Sequence, residues 1–225
     1  MPVKAYGISV KNSSGKYILE PLDFFLEEGK VTLIGGRSGS GKTTLLSVLA
    51  GLQRPAEGEV FYGDLDIYKM TDVEAALYRN REIGLTPQGQ SALYNLTVKE
   101  NILLPSRIGD GSGDQGAYAD ELMSKLGIED LKDSYPDKMS GGEIRRMAIA
   151  RALINRPAFV FADEPTGDLD DENTKKVFEL FRETARKGAA VLIVSHEQEA
   201  ERYADKIYLM ESGKLKKRKG NSLKL

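Results

Sequence analysis

The sequence predicts an α/β protein with a mostly parallel central sheet and a small antiparallel β layer near its N-terminus. Three observations carry that prediction. Strand-like apolar runs alternate with helix-like segments along most of the chain, the pattern that covers both faces of a parallel sheet with helices. A glycine-rich loop joins the apolar run Val31-Thr32-Leu33-Ile34 to the helix-like stretch Thr44-Leu45-Leu46-Ser47-Val48-Leu49-Ala50. Two strand-like runs at 3–10 and 18–26 flank the turn Asn12-Ser13-Ser14-Gly15, and a third follows at 59–62.

Further along, Thr71 and Glu74, then Thr97 and Glu100, have the three-residue spacing of capping boxes, so a short helix is expected to begin at each. Between them, residues 82–86 read as a strand. The stretch 105–116 carries Gly109, Gly111, Gly113 and Gly116 and reads as a surface loop before a helix at about 118–126, which Gly127 would end. Two later apolar runs, 159–162 and 189–194, complete the sheet. No internal repeat is visible.

Composition narrows the function classes. The 225 residues suit one α/β domain with subdomains. A formal net charge of −2 gives no basis for a nucleic-acid partner. Cysteine is absent, which removes disulfide frameworks and thiolate metal sites. The start, Met1-Pro2-Val3-Lys4, does not resemble a signal peptide, and no apolar run approaches a membrane span, so a soluble cytoplasmic protein is expected.

The loop reads Gly36-Arg37-Ser38-Gly39-Ser40-Gly41-Lys42-Thr43, a complete G-x-x-x-x-G-K-[ST] string between a strand and a helix. Its glycines let consecutive backbone N–H groups turn toward an anion, to which the helix start adds its positive end. Lys42 is expected to bring a point charge to the terminal phosphates, and the Thr43 hydroxyl a ligand to Mg²⁺. Downstream, Phe159-Val160-Phe161-Ala162-Asp163-Glu164 ends an apolar strand in two carboxylates. Acids at that end of a parallel strand sit where open α/β sheets bind ligands. Asp163 is then placed for Mg²⁺, and Glu164 for orienting and deprotonating a water in line with the γ-phosphate.

A third pattern is Ser140-Gly141-Gly142-Glu143 leading into Ile144-Arg145-Arg146-Met147-Ala148. Ser140 and Glu143 form a capping box, but two glycines in a first turn cost about 1 kcal/mol each relative to alanine, which capping does not explain. They make sense where backbone N–H groups approach a phosphate. One loop already wraps a triphosphate, so the second helix start is expected to serve the nucleotide of another copy, giving a head-to-tail homodimer with two ATP molecules at its interface.

With these motifs in hand, the chain resembles the ATP-binding subunits of ABC transporters over essentially its whole length, which implies a P-loop NTPase fold with an inserted α-helical subdomain at about 89–155 of a single domain 1–225. The resemblance assigns the phosphate motif to residues 36–44, ending at Thr44, and Arg37 stands where proline is usual. The glutamine loop is matched by Ile83-Gly84-Leu85-Thr86-Pro87-Gln88, making Gln88 the expected link between the metal site and a membrane partner, with Gln90 close by as the alternative. Met139-Ser140-Gly141-Gly142-Glu143 matches the signature, and Gly167-Asp168-Leu169-Asp170 the D-loop, adding Asp170 to the nucleotide-binding set. His196, the only histidine, is implied to contact the γ-phosphate beside the catalytic glutamate. The cofactors implied are ATP and Mg²⁺, and the partner an integral membrane permease that holds the subunit peripherally on the inner face of the membrane.

Within the family, Glu143 and the segment 165–170 resemble the branch of lipoprotein-release ATPases, macrolide exporters and the cell-division ATPase FtsE, whereas Ile144-Arg145-Arg146 departs from the glutamine-rich sequence common there. An importer subunit, a non-transport ABC ATPase and a small-molecule kinase are the rival readings. The aromatic residue that normally stacks on adenine has no match at its usual spacing; Tyr17 and Tyr6 are the candidates, each equally a sheet residue. Ser91-Ala92-Leu93-Tyr94-Asn95-Leu96 either receives a permease helix or packs the helical subdomain. The basic run 214–219 is either a solvated end or a contact with anionic lipid.

Overall fold

The computed structural model describes residues 1–89, 91–108 and 115–218. The N-terminal layer consists of β1 (Val3–Lys11), β2 (Tyr17–Leu26), β4 (Glu57–Tyr62) and the short β5 (Leu65–Asp66), in the order β2-β1-β4-β5 and antiparallel throughout. The Asn12 side chain builds the first turn by accepting from the amides of Ser14 and Lys16. The larger sheet contains β3 (Val31–Gly35), β6 (Ile83–Thr86), β7 (Phe159–Asp163), β8 (Ala190–Val194), β9 (Lys206–Glu211) and β10 (Lys214–Lys217). Its order is β10-β9-β3-β8-β7-β6, parallel except for the β9–β10 hairpin.

The central strands explain the layering. Every residue of β7 and β8 is buried, as the unbroken apolar pattern requires. Because side chains alternate along a strand, Phe159 and Phe161 face the antiparallel layer and α1 (Lys42–Leu49), whereas Val160 and Ala162 face the helices on the other side. Each fully buried phenylalanine is worth about 1.5–3 kcal/mol against exposure.

The helices follow α2 (Asp72–Glu82), α3 (Val98–Ile108), α4 (Gly116–Leu126), α5 (Gly141–Leu153) and α6 (Asp171–Arg186). Capping boxes at Thr71–Glu74, Thr97–Glu100 and Ser140–Glu143 all form, with both the side-chain and the reciprocal backbone bonds. Gly127 ends α4 in the left-handed region, φ 62. In α6, Thr174, Val177, Phe178, Phe181 and Ala185 recur at helical spacing and are buried. Helices α3, α4 and α5 pack as a group outside the β6 side of the sheet.

Two expectations need correction. The loop expected from residue 105 begins later, because α3 runs through Pro105 to Ile108; proline near the end of a helix disturbs only one backbone bond. Helix α4 begins at Gly116, two residues early. The basic side chains of Lys214, Lys216, Lys217 and Arg218 are exposed, on a backbone in which Lys214–Lys217 pairs with β9 and the Arg218 amide donates to the Ile207 carbonyl. Residues 109–114 of the glycine-rich stretch, Gln90 and Lys219 lie outside the described residues.

Candidate active site

The phosphate-loop residues lie between β3 and α1, at the C-terminal edge of the parallel sheet. Gly36, Gly39 and Gly41 take φ values of 146, 73 and 108. At Gly36 a Cβ would stand 2.4 Å from the Met210 carbonyl oxygen, so no side chain fits there. Gly41 occupies the N-cap of α1 without a capping side chain, which leaves the first amides of the helix available to a ligand. Lys42 is buried, and its ammonium donates to the carbonyls of Gly36 at 2.8 Å and Arg37 at 3.0 Å, curling the loop around its own cation. An ammonium has three donors, so one remains.

The Asp163 carboxylate is buried at 2 % exposure, and its Oδ2 has no hydrogen-bond partner. Burial is the main force raising its pKa; the Thr43 hydroxyl, followed by the charges of Lys42 and Arg145, opposes that rise. An unpaired buried carboxylate oxygen beside a threonine hydroxyl is a set of hard oxygen donors, the kind Mg²⁺ takes, and so fits that ion. Among the described residues no group of three or more His, Cys, Asp or Glu is placed to hold a metal ion, at this site or at any other.

Glu164 stands in the left-handed region at φ 46, a strained conformation for a non-glycine residue, and its amide donates to the Val194 carbonyl at 2.8 Å. Its Oε1 meets His196 Nδ1 at 2.9 Å. That hydrogen bond, and then the carboxylate charge, raises the histidine pKa above its ordinary value. Glu197 continues the tie: it accepts from the buried Thr166 hydroxyl at 2.6 Å, fixing the segment after His196 to the start of the D-loop.

One cleft of about 810 Å³ brings together Lys42, Thr43, Thr44, Gln88, Asp163, Glu164 and His196, with Arg37, Ser38, Gly39 and Gly41 on its wall. Ser140, Gly141, Gly142 and Asp170 line a separate cleft of about 500 Å³ with Arg146 and Asn173. Glu143 turns back to its own capping box instead. The Asp170 carboxylate is engaged in capping α6, accepting from the Asn173 amide at 2.8 Å and its side chain at 2.9 Å. A Cβ on Gly142 would come within 3.1 Å of Leu169 and 3.3 Å of the Asp168 carbonyl, so close approach of the D-loop is a second reason for that glycine. Neither tyrosine candidate lines the phosphate cleft: Tyr17 carries the Lys11 ammonium on its ring face, and Tyr6 meets Phe61 edge-on, whereas Ile18 reaches the cleft wall.

Two arginines, Arg145 buried and Arg151 half-buried, went unrecognised as site residues in the sequence. On α5, Arg145 donates to the Pro87 and Gly89 carbonyls that bracket Gln88, at 3.0 and 3.1 Å. One turn and a half further, Arg151 bonds the carbonyl and hydroxyl of Ser91 and reaches Asn101 Oδ1 at 3.3 Å. An arginine inside an otherwise apolar helical run is the only signal that marks them.

A glycine loop between strand and helix, with a buried acid at the end of a parallel strand beside it, defines a P-loop nucleotide-binding ATPase. The family model described as ABC transporter matches residues 19–167. An uncharacterised ABC transporter ATP-binding protein of Methanocaldococcus jannaschii is 36% identical over 213 residues, 94% of either chain. The lipoprotein-releasing system ATP-binding protein LolD of Aquifex aeolicus is 37% identical over 202 residues, 89% of this chain and 90% of its own. Among solved structures, the ATP-binding cassette MJ0796, dimeric in a post-hydrolysis state with ADP and Pi, matches at a TM-score of 0.88 and 30% identity over 97% of this chain and all of that one. The chain belongs to the ABC transporter family, and it is an ATP-binding ATPase of that family. No described helix is long and apolar enough to cross a membrane.

Proposed function

We propose that two copies of this chain close head to tail around two ATP molecules and so drive an integral membrane permease, for export, lipoprotein release or mechanical work on the far side of the membrane. The observation that carries the reading is the Glu164–His196 pair, held 2.9 Å apart in the cleft of Lys42 and Thr43. Glu164 accepts the proton of the attacking water, and His196 acts as a hydrogen-bonding sensor of the γ-phosphate, holding the carboxylate oriented. The loop from Gly36 to Thr44 wraps the phosphates with its amides, and Lys42 supplies its remaining donor to the terminal ones. Thr43, Asp163 and Gln88 would hold Mg²⁺, which would supply neutralising charge to the terminal phosphates.

The second cleft completes the site in trans, with Ser140, Gly141 and Gly142 over the nucleotide of the other copy. Glu143 sets the first turn of that helix, and Asp170 acts by capping α6 and so placing the D-loop against Gly142. The dimeric state of the matching cassette with ADP and Pi supports this arrangement. Helices α3 to α5 are read as the helical subdomain of one domain, and the segment after Gln88 as the permease contact. Such a partner holds the chain at the cytoplasmic face of the membrane, and no nucleic acid takes part. Relatives that belong to lipoprotein-releasing systems favour that branch over an importer.

The test is a pull-down of tagged Glu164→Gln protein from native membranes in mild detergent with ATP. A copurifying permease with few spans and a large extracytoplasmic domain is the expected result. A many-span permease with a solute-binding protein makes the chain an importer subunit, and ribosomes or nucleic acid in place of any membrane protein overturn the transport reading.

A further inference from the structure

Arg145 is 7 % exposed, and within that setting its guanidinium has few acceptors. Nη1 donates to the carbonyls of Pro87 and Gly89, one on each side of Gln88. Nη2 faces the Asp168 carboxylate at 3.7 Å, from the D-loop. Those three groups come from two different segments, and α5 itself begins at Ser140 and Gly141. A buried cation is tolerated only where acceptors replace its lost water. Arg145 lines the same cleft as Gln88 and Asp163, and swinging the Gln88 loop away would strip Nη1 of both carbonyls and strand the charge, so the loop is held by a restoring force that a neutral residue would not supply. Gln88 itself is exposed, so its own side chain does not anchor the segment.

We propose that Arg145 is a positioning residue that fixes Gln88 against the metal side of the cleft and links the glutamine loop to the D-loop through Asp168. The loop linkage is a matter of this chain's own contacts; its consequence for catalysis rests on the reading of Gln88 given above. Asp168 is the weaker half, being largely exposed and beyond ordinary hydrogen-bond distance.

The test compares the full-length wild type with Arg145→Gln and Arg145→Lys. In amide hydrogen exchange without nucleotide, Arg145→Gln is expected to speed exchange at Gln88 and Gly89 by about tenfold while β7 and β8 keep their protection, and Lys to recover part of the loss. Unchanged exchange around Gln88, or a uniform rise over the whole chain, overturns the proposal. Asp168→Asn is expected to loosen the loop in wild type but add nothing in the Arg145→Gln background; equal effects in both remove Asp168 from the linkage. In steady-state ATPase assays, Arg145→Gln is expected to raise the Mg²⁺ concentration for half-maximal rate by about tenfold. Its kcat at saturating Mg²⁺ should stay within about twofold of wild type. A fall in kcat with unchanged Mg²⁺ dependence overturns the positioning role. Absence of ATPase activity in the wild type would instead sink the catalytic reading and leave the exchange result standing.

Discussion

His196 Nδ1 lies 2.9 Å from Glu164 Oε1, and the amide of the same histidine faces Oε2 at 3.4 Å. His196, after the end of β8, thus meets both oxygens of the carboxylate that follows β7, and the imidazole, itself largely exposed, has its pKa raised first by that hydrogen bond and then by the charge. Because the chain contains one histidine, a single ring signal reports the pair by NMR. It is expected to titrate above 6.5 in wild type and to move down toward that value in Glu164→Gln. A histidine whose pKa rises on folding adds stability that is complete below its unfolded value and is lost as pH climbs through the folded one. The wild type should therefore gain over Glu164→Gln in mildly acid solution and lose that gain in alkali; a midpoint unmoved by the substitution would remove the pair.

If Glu164 is the general base, Glu164→Gln should lower kcat by at least about a hundredfold while ATP binding persists and the dimer accumulates. Single-turnover hydrolysis together with a nucleotide-binding isotherm checks both halves. Near-wild-type turnover would assign the proton transfer to another group.

Ser140→Arg places a long cation where, on the proposed function, the second cleft closes over a partner's nucleotide. It also deletes a cap hydrogen bond, at a cost of about 1 kcal/mol. The variant should bind ATP as a monomer, and light scattering with Mg²⁺ chelated, so that hydrolysis is blocked, should show no dimer. An ATP-dependent dimer of Ser140→Arg would contradict the composite site.

Gly84 sits in β6 with α5 pressed against it: a Cβ there would come 2.3 Å from the Ala152 carbonyl oxygen and 2.9 Å from Pro157. Backbone cannot yield as a side chain does, so Gly84→Ala should cost about 1–3 kcal/mol by overpacking. Urea unfolding is the measurement, and an unchanged midpoint with unchanged slope would mean that β6 and α5 separate freely.

The legible parts of the sequence were those where chemistry is local. The loop from Gly36 to Thr43, the capping box at Ser140 and the acid end of β7 each declare themselves within eight residues, and the structure brings the phosphate loop and that acid end into one cleft. What stayed hidden depends on long-range approach. Arg145 lies more than fifty residues from the carbonyls it grips, and Gly142 from the sequence alone gave no sign of meeting Leu169. The resemblance put Asp170 in the nucleotide-binding set, whereas its cap on α6 stayed hidden because it needs the start of that helix. Residues 105–108 were misread for the opposite reason: a local glycine-rich pattern read as a loop from 105, whereas α3 packs on α5 and runs on to Ile108.

Leu93 and Tyr94 are exposed at 41 % and 55 % on a segment that is nonetheless firmly backed. Buried Asn101 accepts from the Leu93 amide and donates to the Leu93, Leu96 and Thr97 carbonyls, while Arg151 grips Ser91. Apolar side chains held outward on a stiff backbone bind with little loss of entropy, which suits a docking point for a permease segment beside Gln88. Replacing both Leu93 and Tyr94 by alanine in the tagged Glu164→Gln protein should cut the membrane protein captured with ATP by at least about tenfold, since buried anchors at interfaces are commonly worth 2 kcal/mol or more. The thermal midpoint should fall less than in Asn101→Ala, because both side chains are largely exposed. Asn101→Ala provides the contrast, since it removes the bonds behind the segment and should lower the midpoint as well as the capture. Full capture by the Leu93 and Tyr94 variant would place the permease contact on another face.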